Sequence, residues 1–369
     1  MLLQTRNVRD VFPLASCSDA FHRGYGYIRH SSPELPDESL DLITYDDMKL
    51  KEWYNFVNSR RFEVPSIGCQ LLPGAKVHGP GYVLHENKLI VEGNSLDDVL
   101  VDWASQSNAT LRSKKEIPVH SMCIAFLGPG HLIYGHWIAD FIPRLYAASL
   151  ALGDYFAAIP VLWPDDTPRW AEDLVDLIFK RQVQKILYSV SSDCMNCSSL
   201  LVPTYPLSSD HHFHSCVKEL YKPFRAVKSG DRRICISRSR IEGKTAGATK
   251  NFLNRRYFEG AAKTRGFEII YPEELSFIEQ ISMYNSASII IGEYGSAMHS
   301  SVFAPNGTVV AAVGCFNSIQ SRIGSLFQHR CGYLIPDTHY DDGGVLTYSA
   351  PVASIEQFLD AVCAAPSRG

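Results

Sequence analysis

Apolar and polar residues follow two different periods along this chain, and the pattern is clearest after residue 230. Short runs rich in Ile and Val recur there, separated by segments whose apolar residues lie three or four positions apart. Strands that alternate with helices in this way are typical of βαβ units and predict a parallel sheet. The predicted strands are 232–238, 266–272, 288–293 and 308–314, and the predicted helices are 250–265, 276–287 and 296–303.

The first half of the chain is less regular. Residues 1–115 mix short apolar runs with Pro and Gly, which indicates short strands and loops. Later segments predict strands at 117–128, 159–164, 185–190 and 199–205, and helices at 134–152 and 169–181.

A polar, His-rich segment at 206–229 indicates a domain boundary. We therefore predict a first α/β domain over residues 1–215 and a second over 216–350. An amphipathic helix in 351–369 would follow, packing back on the first domain or on the second.

Composition excludes some classes of function. The chain has 369 residues, 46% of them hydrophobic, and a formal net charge of −4, which argues against a general nucleic-acid binder. Residues 1–12 lack the apolar run of a signal peptide, and no segment approaches the roughly 18 apolar residues of a membrane span. We expect a cytoplasmic protein without an integral membrane segment, and leave peripheral membrane association and homo-oligomers open.

The cysteines and histidines predict no metal site. Cys194 and Cys197 form a lone CxxC motif without a second pair at zinc-ribbon spacing, so reduced thiols are the expectation. The HHFH sequence at 211–214 has no second ligand cluster and predicts a surface loop.

The sequence ISRSR places Ser237, Arg238 and Arg240 at the carboxyl end of a predicted strand. Guanidinium groups bind phosphate in a bidentate manner, and α/β sheets bind ligands at the carboxyl ends of their strands. The position favours a phosphate-binding site over the alternative of solvated surface arginines.

The sequence IIIGEYGSAMHSS has the components of an anion site. Gly292 and Gly295 would allow a close approach of backbone to a ligand, and Ser296 could cap the helix that follows. A tight strand-to-helix turn that needs glycine only for its geometry is an equal alternative.

The sequence GHWIAD places His136 and Asp140 four residues apart, on one face of the predicted helix 134–152. A carboxylate can orient an imidazole and raise its basicity, which suits a general base. Arg144 adds a charge on the same face, and Pro143 should kink the helix or mark a boundary. An ordinary set of surface charges is the alternative.

Taken in order, these segments resemble glycosyltransferase family 61, the DUF563-type transferases, in its bacterial branch. The motifs are LIYGHWIADFIPRL, then ICISRSR with KNFLNRRYFEGAAKTRGFEIIYP, then SFIEQ, then IIGEYGSAMHSSVFAPNGT. The resemblance spans about residues 120–315. The matching residues are His136, Asp140, Pro143, Arg144, Ser237, Arg238, Glu279, Gln280, Gly292 and Gly295.

The chain departs from the family pattern at four positions. The histidine, alanine and asparagine of the last motif fall on Tyr294, Ser296 and Ser300, and a glutamate falls on Arg255.

The resemblance implies a GT-B-like α/β fold, in which two Rossmann-like domains face a central cleft. The first would bind the acceptor and the second the nucleotide sugar. It also implies inverting, metal-independent transfer from a nucleotide sugar, commonly UDP-linked, to a glycan or glycolipid hydroxyl, with no cofactor besides this co-substrate. Synthesis of a bacterial surface polysaccharide is the expected setting.

The resemblance also assigns roles to residues. His136 or Asp140 is the catalytic base, with His136 favoured because its pKa suits neutral pH. Trp137 and Arg144 would contact the acceptor substrate. The expected donor site consists of Ser237, Arg238, Arg240, Glu279, Gln280, Gly292, Glu293, Tyr294, Gly295 and Ser296.

Two alternatives stay open. The departures at Tyr294, Ser300 and Arg255 also fit a non-catalytic relative that binds a nucleotide or a glycan. A pyruvyl-transferase-like enzyme that uses phosphoenolpyruvate in a similar two-domain frame is the third hypothesis.

Overall fold

Contacts within the chain divide the computed structural model into two units. The first comprises Met1–Pro36 and Phe62–Leu220, and the second comprises Asp37–Arg61 and Tyr221–Gly369. The segment 37–61 therefore belongs to the second unit, whereas the sequence placed every residue before 216 in the first domain. The structure describes residues 4–7, 14–15, 17–35, 39–43, 48–59, 62–91, 101, 104, 114–181, 183–208, 210–228, 230–241, 250–340 and 346–365.

The strands are numbered in chain order over the described residues. They are β1 (Thr5–Asn7), β2 (Leu14–Ala15), β3 (Gly26–Arg29), β4 (Asp41–Leu42), β5 (Gly68–His78), β6 (Tyr82–His85), β7 (Lys88–Val91), β8 (Lys115–Val119), β9 (Cys123–Ile124), β10 (Val161–Pro164), β11 (Lys185–Tyr188), β12 (Asp193–Pro203), β13 (Arg232–Ile236), β14 (Lys250–Phe252), β15 (Glu268–Ile270), β16 (Ala287–Glu293), β17 (Val309–Val313), β18 (Arg330–Leu334), β19 (Asp337–Tyr340) and β20 (Leu346–Ser349).

The α-helices are numbered in the same way. They are α1 (Cys17–Arg23), α2 (Met48–Ser59), α3 (Tyr134–His136), α4 (Ile142–Leu152), α5 (Arg169–Ile178), α6 (Cys216–Tyr221), α7 (Arg255–Thr264), α8 (Phe277–Asn285), α9 (Ser318–Leu326) and α10 (Val352–Ala364). A π-helical turn spans Trp137–Phe141, and 3-10 turns span Gly153–Ala158, Lys222–Phe224, Pro272–Glu274 and Ser296–Phe303. No helix among the described residues combines the length and the apolar character that a membrane span requires.

The sheet of the first unit is mixed. Its main strand order is β1-β7-β6-β5-β12-β9-β10-β11, with β3 beside β5, β2 beside β3, and β8 beside β12. The long strands β5 and β12 pair antiparallel, whereas β9, β10 and β11 continue the sheet in parallel. Cys194 and Cys197 lie buried on β12, and all ten cysteines of the chain are free thiols.

The predicted strand at 117–128 is interrupted, and its pairing with β12 explains why. Val119 lies opposite Cys197 and Cys123 lies opposite Leu200, so the segment between them is one residue longer than the stretch of β12 that it passes. The extra residue cannot join the ladder, and the strand divides into β8 and β9.

The predicted helix at 134–152 is confirmed, and it is α-helical at both ends with the π turn between them. Pro143 has no N–H to donate to the carbonyl of Ala139, and its ring crowds that carbonyl. The wider π turn ends at Phe141, two residues before the proline, so a change of helix type marks the predicted boundary. Such turns occur often at functional sites.

The main sheet of the second unit is parallel, which confirms the prediction from alternating strands and helices. Its order is β15-β13-β16-β17-β18-β4, and a separate small sheet has the order β14-β20-β19. From β13 the chain moves to β15 on one side and then returns to β16 on the other. This reversal places a topological switch point between β13 and β16, the position where open α/β sheets bind ligands.

Helix α10 packs within the second unit. Its apolar face, which includes Ile355, Phe358, Leu359 and Val362, is fully buried in the same core as Ile291 of β16. Because both units combine sheets with helices, the predicted α/β class is confirmed for the described residues.

Two local predictions are wrong. The predicted helix at 250–265 begins only at Arg255, because residues 250–252 pair with β20. The HHFH segment is not a surface loop at all positions, since His212 and His214 are 4% and 5% exposed. His214 lies 3.0 Å from the Ser31 hydroxyl and accepts the backbone N–H of Cys216 on Nδ1.

Candidate functional site

His136 and Asp140 of the first unit form a close pair. Nδ1 of His136 lies 2.6 Å from Oδ2 of Asp140. The carboxylate is nearly inaccessible, with 5% of its side chain exposed, whereas 30% of the imidazole is exposed. Because Nδ1 is held by the carboxylate, Nε2 is the ring nitrogen that can exchange a proton with a substrate.

The surroundings of His136 affect its pKa in two opposing ways. Burial lowers the pKa, because it disfavours the imidazolium ion. The hydrogen bond to Asp140 and the charge of that carboxylate raise it by more, so the pKa lies above its ordinary value of 6.5. The pair can therefore accept a proton near neutral pH and stabilise the resulting cation.

A glycine-rich loop lies against the imidazole of His136. A Cβ atom at Gly130 would lie 2.5 Å from Cδ2 of His136, and the φ angle of Gly130 is +89°, which disfavours other residues. Glycine at 130 therefore permits a close approach that orients the ring.

Trp137 and Arg144 are buried in the same unit, with 0% and 6% of their surfaces exposed. The indole donates to the carbonyl of His131 at 2.7 Å, and Arg144 Nε donates to the carbonyl of Pro203 at 2.8 Å. Both side chains thus stabilise the unit. Their proposed contact with a substrate stays a prediction, which this burial does not favour.

A second histidine–carboxylate pair was not predicted from the sequence. Nε2 of His131 lies 2.8 Å from Oδ1 of Asp166, and His131 is 7% exposed. The two residues are 35 positions apart, so no local spacing could have indicated the contact. Because Trp137 donates to the backbone of His131, this pair fixes the loop that leads into the helix of His136.

In the second unit, the structure brings Arg238 and Gly295 together at the switch point. Ile236 of β13 lies opposite Gly292 of β16, so the loops after these strands are neighbours. A Cβ atom at Gly295 would collide with the guanidinium of Arg238. The φ angle of Gly295 is −178°, which any residue can adopt, so a Cβ atom at this position would displace the guanidinium of Arg238 rather than strain the backbone.

The helix after Gly295 differs from the expectation. It is a 3-10 helix from Ser296 to Phe303, with Gly295 at the N-cap position and no side-chain cap. Ser296 is therefore the first residue of the helix and not its cap.

Four other residues of the predicted donor site have partners within the unit. The hydroxyl of Ser237 donates to Glu259 at 2.6 Å, and Arg240 pairs with Glu274 while it stacks on Tyr271. The remaining two, Glu279 and Gln280, lie near the start of α8.

Glu279 forms a capping box there with Ser276, and the side-chain amide of Gln280 donates to the carbonyl of Pro272 at 2.9 Å. These contacts explain the residues by local stability, and their binding of a donor stays a prediction.

Comparison with known families gives a match, and its range includes residues of both units. Residues 134–311 match the family model described as Glycosyltransferase 61. The match covers just under half of the chain and contains both His136 and Arg238. It supports a glycosyltransferase, which implies a sugar donor and an acceptor as substrates. No curated protein matches the chain.

Arg255, which departs from the family pattern that the sequence resembles, forms a pair with Glu293. Arg255 pairs with Oε1 of Glu293 through Nε and donates from Nη2 to Oε2 at 3.1 Å. The hydroxyl of Tyr348 donates to the same Oε2 at 2.7 Å. Both oxygens of Glu293 are therefore occupied, which does not favour the predicted contact with the donor sugar.

Tyr294 is another departure from the family pattern that the sequence resembles. Its hydroxyl lies 3.4 Å from Nε2 of His299, and the ammonium of Lys250 lies 4.8 Å from its ring centre. Burial raises the pKa of Tyr294, so its hydroxyl stays protonated at neutral pH. Burial lowers the pKa of Lys250. Lys250 was not predicted, because a single lysine in the sequence carries no spacing signal.

Proposed function

We propose that this protein is an inverting, metal-independent glycosyltransferase. It transfers a hexosyl or pentosyl group from a nucleotide sugar, with UDP as the nucleotide, to a hydroxyl of a glycan or glycolipid. The observation that carries this proposal is the pair of His136 and Asp140, a part-exposed imidazole on a buried carboxylate within the stretch that matches the family.

In the proposed reaction, Nε2 of His136 accepts the proton of the acceptor hydroxyl. The oxygen attacks the anomeric carbon on the face opposite the diphosphate, and the bond between that carbon and the diphosphate oxygen breaks. Asp140 stabilises the imidazolium that forms, and the configuration at the anomeric carbon is inverted.

The second unit supplies the charge for the leaving group in this proposal. Arg238 lies at the switch point of the sheet, where the guanidinium can bind phosphate oxygens in a bidentate manner. A GT-B-like arrangement, with the acceptor on the first unit and the donor on the second across a cleft, is part of the proposal.

We further propose a cytoplasmic enzyme of bacterial surface polysaccharide synthesis. Ten free thiols suit a reducing compartment.

A thermal-shift series tests the donor class. The purified chain is heated with UDP, GDP, CMP, TDP or phosphoenolpyruvate, and UDP should raise the midpoint most. A ligand at 100 times its Kd stabilises a protein by about 2.7 kcal/mol. A shift with phosphoenolpyruvate and none with a nucleotide would contradict the proposal.

Turnover then separates an enzyme from a binding protein. Incubation with UDP-sugars should release UDP slowly with water as acceptor, and the His136→Ala variant should not release it above background. Binding of UDP without release from any UDP-sugar, with or without glycan acceptors, would favour the non-catalytic alternative.

A further inference from the structure

Glu293 places a carboxylate among cations at the proposed donor site. It is the last residue of β16, and only 3% of its surface is exposed. Arg238 and Gly295 lie in the adjoining loops, since Gly292 pairs with Ile236 on β13. An anionic group in this position would compete with a phosphate for any cation that it could reach.

Two cations of this region lack an ion-pair partner in the part of the chain that the structure describes. They are Arg238, against Gly295, and Lys250, above the ring of Tyr294. The charge of Lys250 is repelled by Arg238 and attracted by Glu293. Lys250 is therefore within electrostatic range of both Arg238 and the carboxylate of Glu293.

The carboxylate is instead held by other groups. Arg255 contacts both of its oxygens, and the hydroxyl of Tyr348 donates to Oε2. Burial and the charge of Glu293 raise the pKa of Tyr348, so this hydroxyl stays a donor.

The position of Arg255 is itself informative. It is the first residue of α7, where the helix dipole disfavours a positive charge. Its place is explained by the pair with Glu293, because the carboxylate offsets both the dipole and the burial of the guanidinium.

We propose that Arg255 and Tyr348 are positioning residues that sequester the charge of Glu293. They leave Arg238 and Lys250 available for the two phosphate groups of the nucleotide donor. This inference rests on the proposed function, since it assumes that the anion bound here is a diphosphate.

A charge-release experiment tests the inference. Binding of pyrophosphate and of UDP is measured by calorimetry for the wild type, Arg255→Met, Glu293→Gln and the double variant. Arg255→Met should weaken both ligands about 10-fold or more, because the released carboxylate pairs with Arg238 or Lys250. The double variant should return to within about 3-fold of the wild type, because it has no carboxylate to release.

If Arg255 only supports the fold, the double variant should bind pyrophosphate and UDP no better than Arg255→Met does. Arg265→Met is the matched control, since Arg265 is another arginine of the second unit held in ion pairs, in its case with Glu356 and Asp360. It should bind both ligands like the wild type.

If Arg255→Met does not fold, the same cycle is made with Tyr348→Phe, where a smaller loss and the same rescue by Glu293→Gln are expected. The inference would be overturned, with the proposed function left standing, by either of two results. The single variants could bind like the wild type, or Glu293→Gln could fail to restore the binding that they lose. Absence of pyrophosphate and UDP binding by the wild type would overturn both.

Discussion

His136–Asp140 in the first unit and Arg255–Glu293 in the second are both contacts between a basic side chain and a buried carboxylate. The carboxylates are similarly hidden, with 5% of the Asp140 side chain and 2% of the Glu293 side chain exposed. The basic partners differ, since 30% of the His136 side chain is exposed but only 11% of that of Arg255. A pair that exchanges a proton with a substrate must leave one member accessible, whereas a pair that supports a site does not.

The same contrast separates Arg238 from Arg240, two residues apart in one loop. Arg240 pairs with Glu274 and stacks on Tyr271 with its guanidinium 3.7 Å from the ring centre. Arg238 lies against Gly295 and has no ion-pair partner among the described residues. Position alone does not make a cation available to a ligand, because the cation can already form an ion pair with a nearby carboxylate.

The largest effect expected from this comparison is at His136. His136→Ala should lower kcat at least ~100-fold, because it removes the proposed base. The fold should persist, since the side chain is part-exposed. Steady-state assays of UDP release with the matching sugar and acceptor measure this, with His22→Ala on α1 as the control. A rate near that of the wild type would refute the role of His136.

The next effect concerns the two arginines. Arg238→Ala should weaken UDP binding about 10- to 100-fold, since a hydrogen bond to a charged group contributes about 1.5–3 kcal/mol. Arg240→Ala should change it little, because that guanidinium is already paired at the surface. Titration calorimetry of both variants measures the difference. Equal losses, or an unchanged affinity in Arg238→Ala, would contradict the distinction drawn between them.

The smallest effect is a shift in pH dependence. Asp140 raises the pKa of His136, so protonated His136 should limit kcat/KM on the acidic side of the profile. In Asp140→Asn the carboxylate charge is lost while burial remains, so the pKa falls and the acidic limb should move to lower pH. The plateau should also fall, because the imidazole is then a weaker base. A limb that stays in place would show that another group titrates there.

Much of the fold followed from local pattern. Apolar periodicity located strands β13, β15, β16 and β17 of the second half but not β18 or α9. His136 and Asp140 could be paired because helical spacing is a local property. The join of 37–61 to the second unit could not be predicted, since β4 pairs with β18 across nearly the whole chain. The helix predicted over residues 250–252 is wrong for the same reason, because their partner β20 lies far along the sequence.

The sequence by itself determined the alternation of strands and helices, the helix of His136 and the neighbourhood of Arg238, because each depends on residues a few positions apart. Only the tertiary structure decided which charged side chains are paired with other residues of the chain. Arg255 meets Glu293 across 38 positions and Tyr348 meets it across 55, and His131 meets Asp166 across 35. Such contacts depend on how the chain crosses the sheet, and that crossing is set by the burial of many apolar side chains together.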